Sequence, residues 1–326
     1  MNSRAVSLPN LAVSHPNHSE KSRLQLETWS QEGKLFAFVD PFFELPPGIE
    51  SHRLELRDTD PALYDVIAWD QVAYQPAVLI SVDRNALNWL ADGLSTERWG
   101  LFLISDNKAD DLAKYFQKFV IAKGPDGQPY FLRFHDPAVL DVLLNSWDPK
   151  ERAIFFGPTQ YFGLPDLDTM EVHFKENPFA AKIHSLPRPE DCLLQLREPQ
   201  LKACSDAIEQ DLIKVIYWHL RNHHAKSVQY LEAADLQQRV RFAISKARRY
   251  SLSTIADLAG FSALMFELAP NFDEHPSFKG VLEDMELAPD LKMRRLAQVI
   301  TDKEWSEAQR HYDRGFWPSM LPAKKK

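Results

Sequence analysis

Lys118-Phe119-Val120-Ile121-Ala122-Lys123, Gly124-Pro125-Asp126-Gly127 and Tyr130-Phe131-Leu132-Arg133-Phe134-His135-Asp136-Pro137 open the stretch that decides the fold. The first run is short, apolar and of strand type. The second is a turn: Pro presets φ and Gly supplies a left-handed position. The third is the return strand, so a β-hairpin is predicted across 118–135. Asp136-Pro137 then starts a helix, Asp capping free N–H groups and Pro filling the first helical position. Asp148-Pro149-Lys150-Glu151 repeats the signal, with Glu151 placed to complete a capping box. Phe155-Phe156-Gly157-Pro158 ends that second helix.

Upstream, Leu35 to Asp40, Ala77 to Val82 and Trp99 to Ser105 read as buried strands. Helices are expected over Leu24–Glu32, from Asp60-Pro61 to Ala68, over Asn85–Leu94 and over Asp106–Gln117. Strands alternating with helices predict an α/β domain with a largely parallel sheet. The hairpin adds an antiparallel part, so the sheet is expected to be mixed. Met170 to Phe174 alternates and reads as an exposed or edge strand. Cys192 to Leu196 is the candidate last strand, after a connector at Pro187 and Pro189.

From Pro199 the pattern turns helical. Helices are expected over Pro199–His224, Leu236–Tyr250, Thr254–Leu268, 277–287, 289–300 and 302–313, so the second domain is all-α. The division expected is a flexible tail over 1–22, an α/β domain over 23–198 and a helical domain over 199–326.

The 326 residues carry a net charge of −8 and 44% hydrophobic residues. A sizeable core follows. The acidic balance argues against a general nucleic-acid binder, which needs cationic surface. The acidic excess lies before residue 199, and the remainder is mildly basic. The two cysteines, Cys192 and Cys204, form neither a disulfide framework nor a zinc quartet. No apolar run approaches a membrane span, and Met1 to Glu20 lacks a secretory core. A cytoplasmic protein with no membrane partner is expected.

Chemistry-bearing motifs are few. The eleven glycines contain no G-x-G pair, so the dinucleotide fingerprint and the phosphate loop are missing. No cofactor is expected. His135-Asp136 has the residue types of an acid/base pair, but capping already explains Asp136. Arg133 lies on the strand face of Phe131 and His135, where a buried carboxylate or an aromatic face would serve it. His219 and His223 stand four apart, a spacing that can chelate a metal. Leu220 occupies the position a zincin motif gives to Glu. The alternative reading is a solvated helix end favouring His. These pairs define the enzyme alternative: a hydrolase or metal-dependent enzyme using His135/Asp136 or His219/His223. Arg239, Arg241, Lys246, Arg248 and Arg249 form a basic run on one helix, either a solvated face or a docking surface for an acidic partner.

Residues 34–160 resemble the type VI secretion adaptor/chaperone family called Tap or Tec, long catalogued as a domain of unknown function. The resemblance rests on Phe131, Arg133, Phe134, Asp136 and Pro137, on Phe156-Gly157-Pro158, on Leu35 to Asp40 and on Trp99-Gly100. His135 stands where the family often has Tyr. Leu268-Ala269-Pro270-Asn271-Phe272-Asp273 resembles a Gly-Pro-x-Phe-Asp step, with Ala269 replacing Gly. The resemblance implies a non-enzymatic protein that binds a secreted effector and helps load it onto the VgrG spike. It assigns no catalytic, metal or cofactor residue.

Overall fold

The computed structural model describes residues 16–40, 43–54, 77–93, 99–166, 169, 171–179, 194–311 and 313–317. The chain divides into two compact units, Met1–Lys202 and Ala203–Lys326. The helix expected from Asp60 to Ala68, the connector at Pro187 and Pro189, and Cys192 lie outside the described residues.

In chain order the first unit contains α1 (Pro16–Gln31), β1 (Leu35–Val39), β2 (Ser51–Arg53), β3 (Val78–Ser81), α2 (Arg84–Gly93), β4 (Gly100–Ile104) and α3 (Ala109–Phe116). It continues with β5 (Ile121–Lys123), β6 (Pro129–Phe131), α4 (Pro137–Ser146), α5 (Pro149–Phe156), β7 (Tyr161–Asp166) and β8 (Glu171–Glu176). Six strands form one sheet in the order β2-β3-β1-β4-β7-β8. The first helix begins at Pro16 rather than at Leu24.

The expected class holds, an α/β first part with an all-α second part, but the expected strand direction does not. Every pairing in the six-stranded sheet is antiparallel: β1 with β3 and β4, β2 with β3, β4 with β7, β7 with β8. Strands alternating with helices predict parallel pairing, yet the intervening helices here serve antiparallel strands, and the continuous apolar runs report a sheet covered on both faces. Leu35, Ala37 and Val39 point to one face, where Leu26 of α1 and Ala86, Leu87 and Leu90 of α2 complete the core. Phe38 points to the other, where it meets Phe116 and Phe134 edge-on at 5.0 and 5.2 Å.

The hairpin stands apart as a two-stranded sheet, β5 with β6. Its turn closes as expected, with Gly127 at φ 81° and its N–H on the Gly124 carbonyl at 3.0 Å. The strand expected over Cys192–Leu196 reduces, among the described residues, to a parallel bridge between Gln195 and Lys123. The mixed pairing expected of this unit is therefore at β5, not in the main sheet.

The second unit is helical: most of α6 (Glu198–His223), then α7 (Ala225–Val228), α8 (Ala233–Arg248), α9 (Ile255–Glu267), α10 (Pro276–Leu282), α11 (Pro289–Val299) and α12 (Asp302–Arg310). Its core is built on Leu212, Ile216, Leu236, Val240, Phe261, Phe272 and Phe278. Thr254 caps α9 through the Asp257 N–H, and Thr301 with Glu304 forms a capping box on α12. The late aromatics pack inside: Trp317 lies 4.7 Å from Phe266 and Trp305 lies 4.8 Å from Phe278. Cys204 is a free thiol and half-buried.

Candidate functional site

The strand-to-helix step at 131–137 is built as its residue types dictate. Phe134 is fully buried and touches Phe38, Phe116 and Phe155. Asp136 sits in extended backbone and its carboxylate accepts the Ala138 N–H at 3.0 Å, with Pro137 in the first turn. Arg133 donates from Nη2 to Asp40 Oδ2 at 3.0 Å. This is the buried carboxylate its position called for, since Asp40 is only 9% exposed. The pair ties the return strand to the end of β1, whose Asp40 N–H also bonds the Trp99 carbonyl.

His135 is buried, with Nε2 3.6 Å from Asp40 Oδ2. That is beyond hydrogen-bond reach. Asp136 is engaged as the cap of α4, accepting the Ala138 N–H.

Two glycines explain their motifs. At Gly100, φ is 141°, and a Cβ would come within 1.8 Å of the Phe38 carbonyl oxygen. Only a residue without a side chain lets β4 run this close to β1. At Gly157, φ is 43°, and a Cβ would meet the Tyr115 ring at 2.1 Å. Tyr115 itself donates to the Ile154 carbonyl. Burial pushes its hydroxyl well above the usual phenol range. Phe156 packs on Phe162 at 5.0 Å, and the Pro158 carbonyl accepts from Ser105 Oγ at 2.7 Å.

His219, His223 and His224 do gather at the end of α6, with ring centroids 4.9 and 5.3 Å from His219. Burial, then the neighbouring His223 and His224, hold the His219 imidazole below its usual value. His224 Nδ1 lies 2.7 Å from Glu267 Oε1. Among the described residues no group of three or more His, Cys, Asp or Glu is arranged to hold a metal ion.

The basic run of α8 is largely engaged within its own unit. Arg239 pairs with Asp235 at 3.0 Å and lies over the Trp317 ring at 5.0 Å. Arg241 bonds Gln210 at 3.2 Å, and Arg248 grips both oxygens of Glu209 at 3.1 and 2.7 Å. Lys246 turns inward onto Asp273 and the Pro270 carbonyl. Arg249 remains exposed.

Sequence reasoning missed the network that Lys246 enters. Asp273 accepts from Lys246 through Oδ1 and from the Tyr250 hydroxyl through Oδ2, the latter at 2.7 Å. Burial first, and Asp273 second, raise the Tyr250 hydroxyl above the usual phenol range. The signal was present in Pro270-Asn271-Phe272-Asp273: Phe272 fills the core and Asp273, 1% exposed, holds the lysine. Lys292 is buried nearby and donates to the Leu282 and Tyr250 carbonyls at 2.7 and 3.2 Å.

Residues 35–153 match a protein family described as "Domain of unknown function (DUF4123)". The match spans β1 to α5 and stops within the second capped helix. No curated protein and no solved structure matches the chain. No helix of the described residues is long and apolar enough to cross a membrane.

Proposed function

We propose that the chain is a non-catalytic adaptor that binds a type VI secretion effector in the producing cell and helps load it onto the VgrG spike. The observation that carries this reading is the match of residues 35–153 to a family known in the type VI setting. The geometry fits a scaffold. Phe134, Asp136, Pro137 and Gly157 are accounted for by packing, capping and a close approach of chains. Recognition then falls to surfaces outside the motif. An adaptor held to both effector and spike raises the concentration of one near the other, without needing strong new contacts between them. The protein acts in the cytoplasm, before export.

The test is deletion and complementation in the producing bacterium. Removing the chain lowers effector secretion and effector–VgrG association, and restoring it recovers both. Secretion and association unchanged by the deletion would sink the reading.

A further inference from the structure

α11 carries two helical faces, and its own unit uses one of them. Lys292, Leu296 and Ile300 recur at the spacing of a single face and are buried, Lys292 on two backbone carbonyls and Leu296 and Ile300 in the core. Leu291, Arg294, Arg295, Gln298 and Val299 follow the i, i+3, i+4, i+7, i+8 pattern of a second stripe. All of these are exposed, Leu291 by 41% and Val299 by 36%. At a rise of 1.5 Å per residue the two apolar positions stand about 12 Å apart along the axis, with the arginines between them.

The arginines are unpaired. Neither Arg294 nor Arg295 has an ion pair or hydrogen bond among the described residues. Cations on the neighbouring elements are answered locally: Lys279 by Glu283, Lys303 by Glu307 and Arg248 by Glu209. Asp290 stands one turn before Arg294 and forms no ion pair with it; it lies in the first turn of α11, where a carboxylate favours the helix dipole.

Such a face selects its occupant by sign and by spacing. Two adjacent guanidiniums call for carboxylates. Leu291 and Val299 call for apolar side chains about two turns apart. An amphipathic helix with Asp or Glu between two such apolar residues supplies both. A nucleic-acid backbone supplies charge alone, leaves the apolar positions in water, and meets a chain of net charge −8.

We infer that the exposed face of α11 docks an acidic amphipathic helix of a partner protein, with Leu291 and Val299 receiving its apolar residues and Arg294 and Arg295 its carboxylates. The inference deepens the adaptor reading, which supplies the partner, but its test uses no secretion component, so either can fail alone.

The experiment uses the full chain and labelled synthetic peptides of about 15 residues, long enough to form helix. The first has Leu at i and i+8 with Glu between them on the same face. The second has Lys in place of Glu, and a duplex oligonucleotide is the third probe. Binding is read by fluorescence anisotropy. The Glu peptide binds and the Lys peptide does not. Arg294→Glu/Arg295→Glu weakens the Glu peptide by about tenfold or more, because like charges then meet, and admits the Lys peptide. Arg294→Gln/Arg295→Gln weakens it less, and Leu291→Ser/Val299→Ser weakens it without admitting the Lys peptide. These exposed positions leave the unfolding midpoint close to that of the unaltered chain. A Glu peptide that does not bind, or that binds both arginine variants as tightly as the unaltered chain, overturns the inference. Affinity unchanged by Leu291→Ser/Val299→Ser overturns the amphipathic helix as occupant. A duplex held more tightly than the Glu peptide, and released by the same charge reversal, overturns the protein partner in favour of nucleic acid.

Discussion

Replacing Asp273 by Ala strands a buried lysine. Lys246 Nζ loses the carboxylate that answers its charge and keeps the Pro270 carbonyl and the face of the Phe316 ring, 5.0 Å away, while Tyr250 loses the acceptor of its hydroxyl. The side chains of Lys246 and Asp273 are 7% and 1% exposed, so water does not replace the missing partner. Breaking such a pair from one side costs about 3–5 kcal/mol. That is a large part of the roughly 5–15 kcal/mol that holds an ordinary domain together. The assay is urea unfolding of the full chain followed by circular dichroism and tryptophan fluorescence, with attention to the transition of the helical unit. The Asp273→Ala midpoint falls sharply. The double variant Lys246→Met/Asp273→Leu removes both charges and recovers most of the loss, because an apolar pair of similar size need not pay for desolvation. A single-variant loss below about 1 kcal/mol would refute the reasoning, as it is the range of a surface ion pair. A double variant as unstable as the single would refute it too.

Other predictions rest on separate features. Gly157→Ala forces a methyl into the Tyr115 ring from a positive-φ position; about 1–2 kcal/mol of backbone strain and about 1–3 of overpacking are lost. Gly157→Ala with Tyr115→Leu loses less than the sum of the singles, read by thermal or urea unfolding. Glu304 is held down at about 2 by the Ser277 hydroxyl and then by the Thr301 N–H and hydroxyl. Its contribution is therefore full above the usual glutamate value and fades as pH falls from there toward 2; Glu304→Gln flattens that acid arm of a stability–pH profile. For His219, the folded imidazole is lowered, so the folded state binds fewer protons than the unfolded chain. Stability is lost as pH falls below the ordinary value of 6.5. His219→Gln removes that loss, read as a smaller fall in unfolding midpoint between neutral and mildly acidic pH.

What the sequence made legible was local. Both Asp-Pro caps, the hairpin turn and the helices of the second unit follow from side-chain reach and φ preference, which act over a few residues. The edge character of 171–176 also showed in its alternation. Strand direction did not, because Leu35 to Val39 looks the same to its neighbours whichever way they run; the apolar run records two covered faces. The partners of Arg133 and Lys246 are Asp40 and Asp273, 93 and 27 residues away. Arg133, its side chain 44% exposed, and the buried Lys246 both find carboxylates that their places in the sequence do not name. The basic run on α8 read as a candidate docking face, yet Asp235, Gln210, Glu209 and Asp273 engage most of it. Those acceptors are brought to it by the helical packing, which spacing on α8 alone does not reveal.

The central claim, that the chain bridges effector and spike, is tested most directly by reconstitution. The candidate effector and VgrG are purified, mixed at matched concentrations with or without the full chain, and their association measured by co-elution. The account predicts that the effector elutes with VgrG when the chain is present and much less without it. Equal co-elution in both samples, with the chain bound to neither, would contradict it.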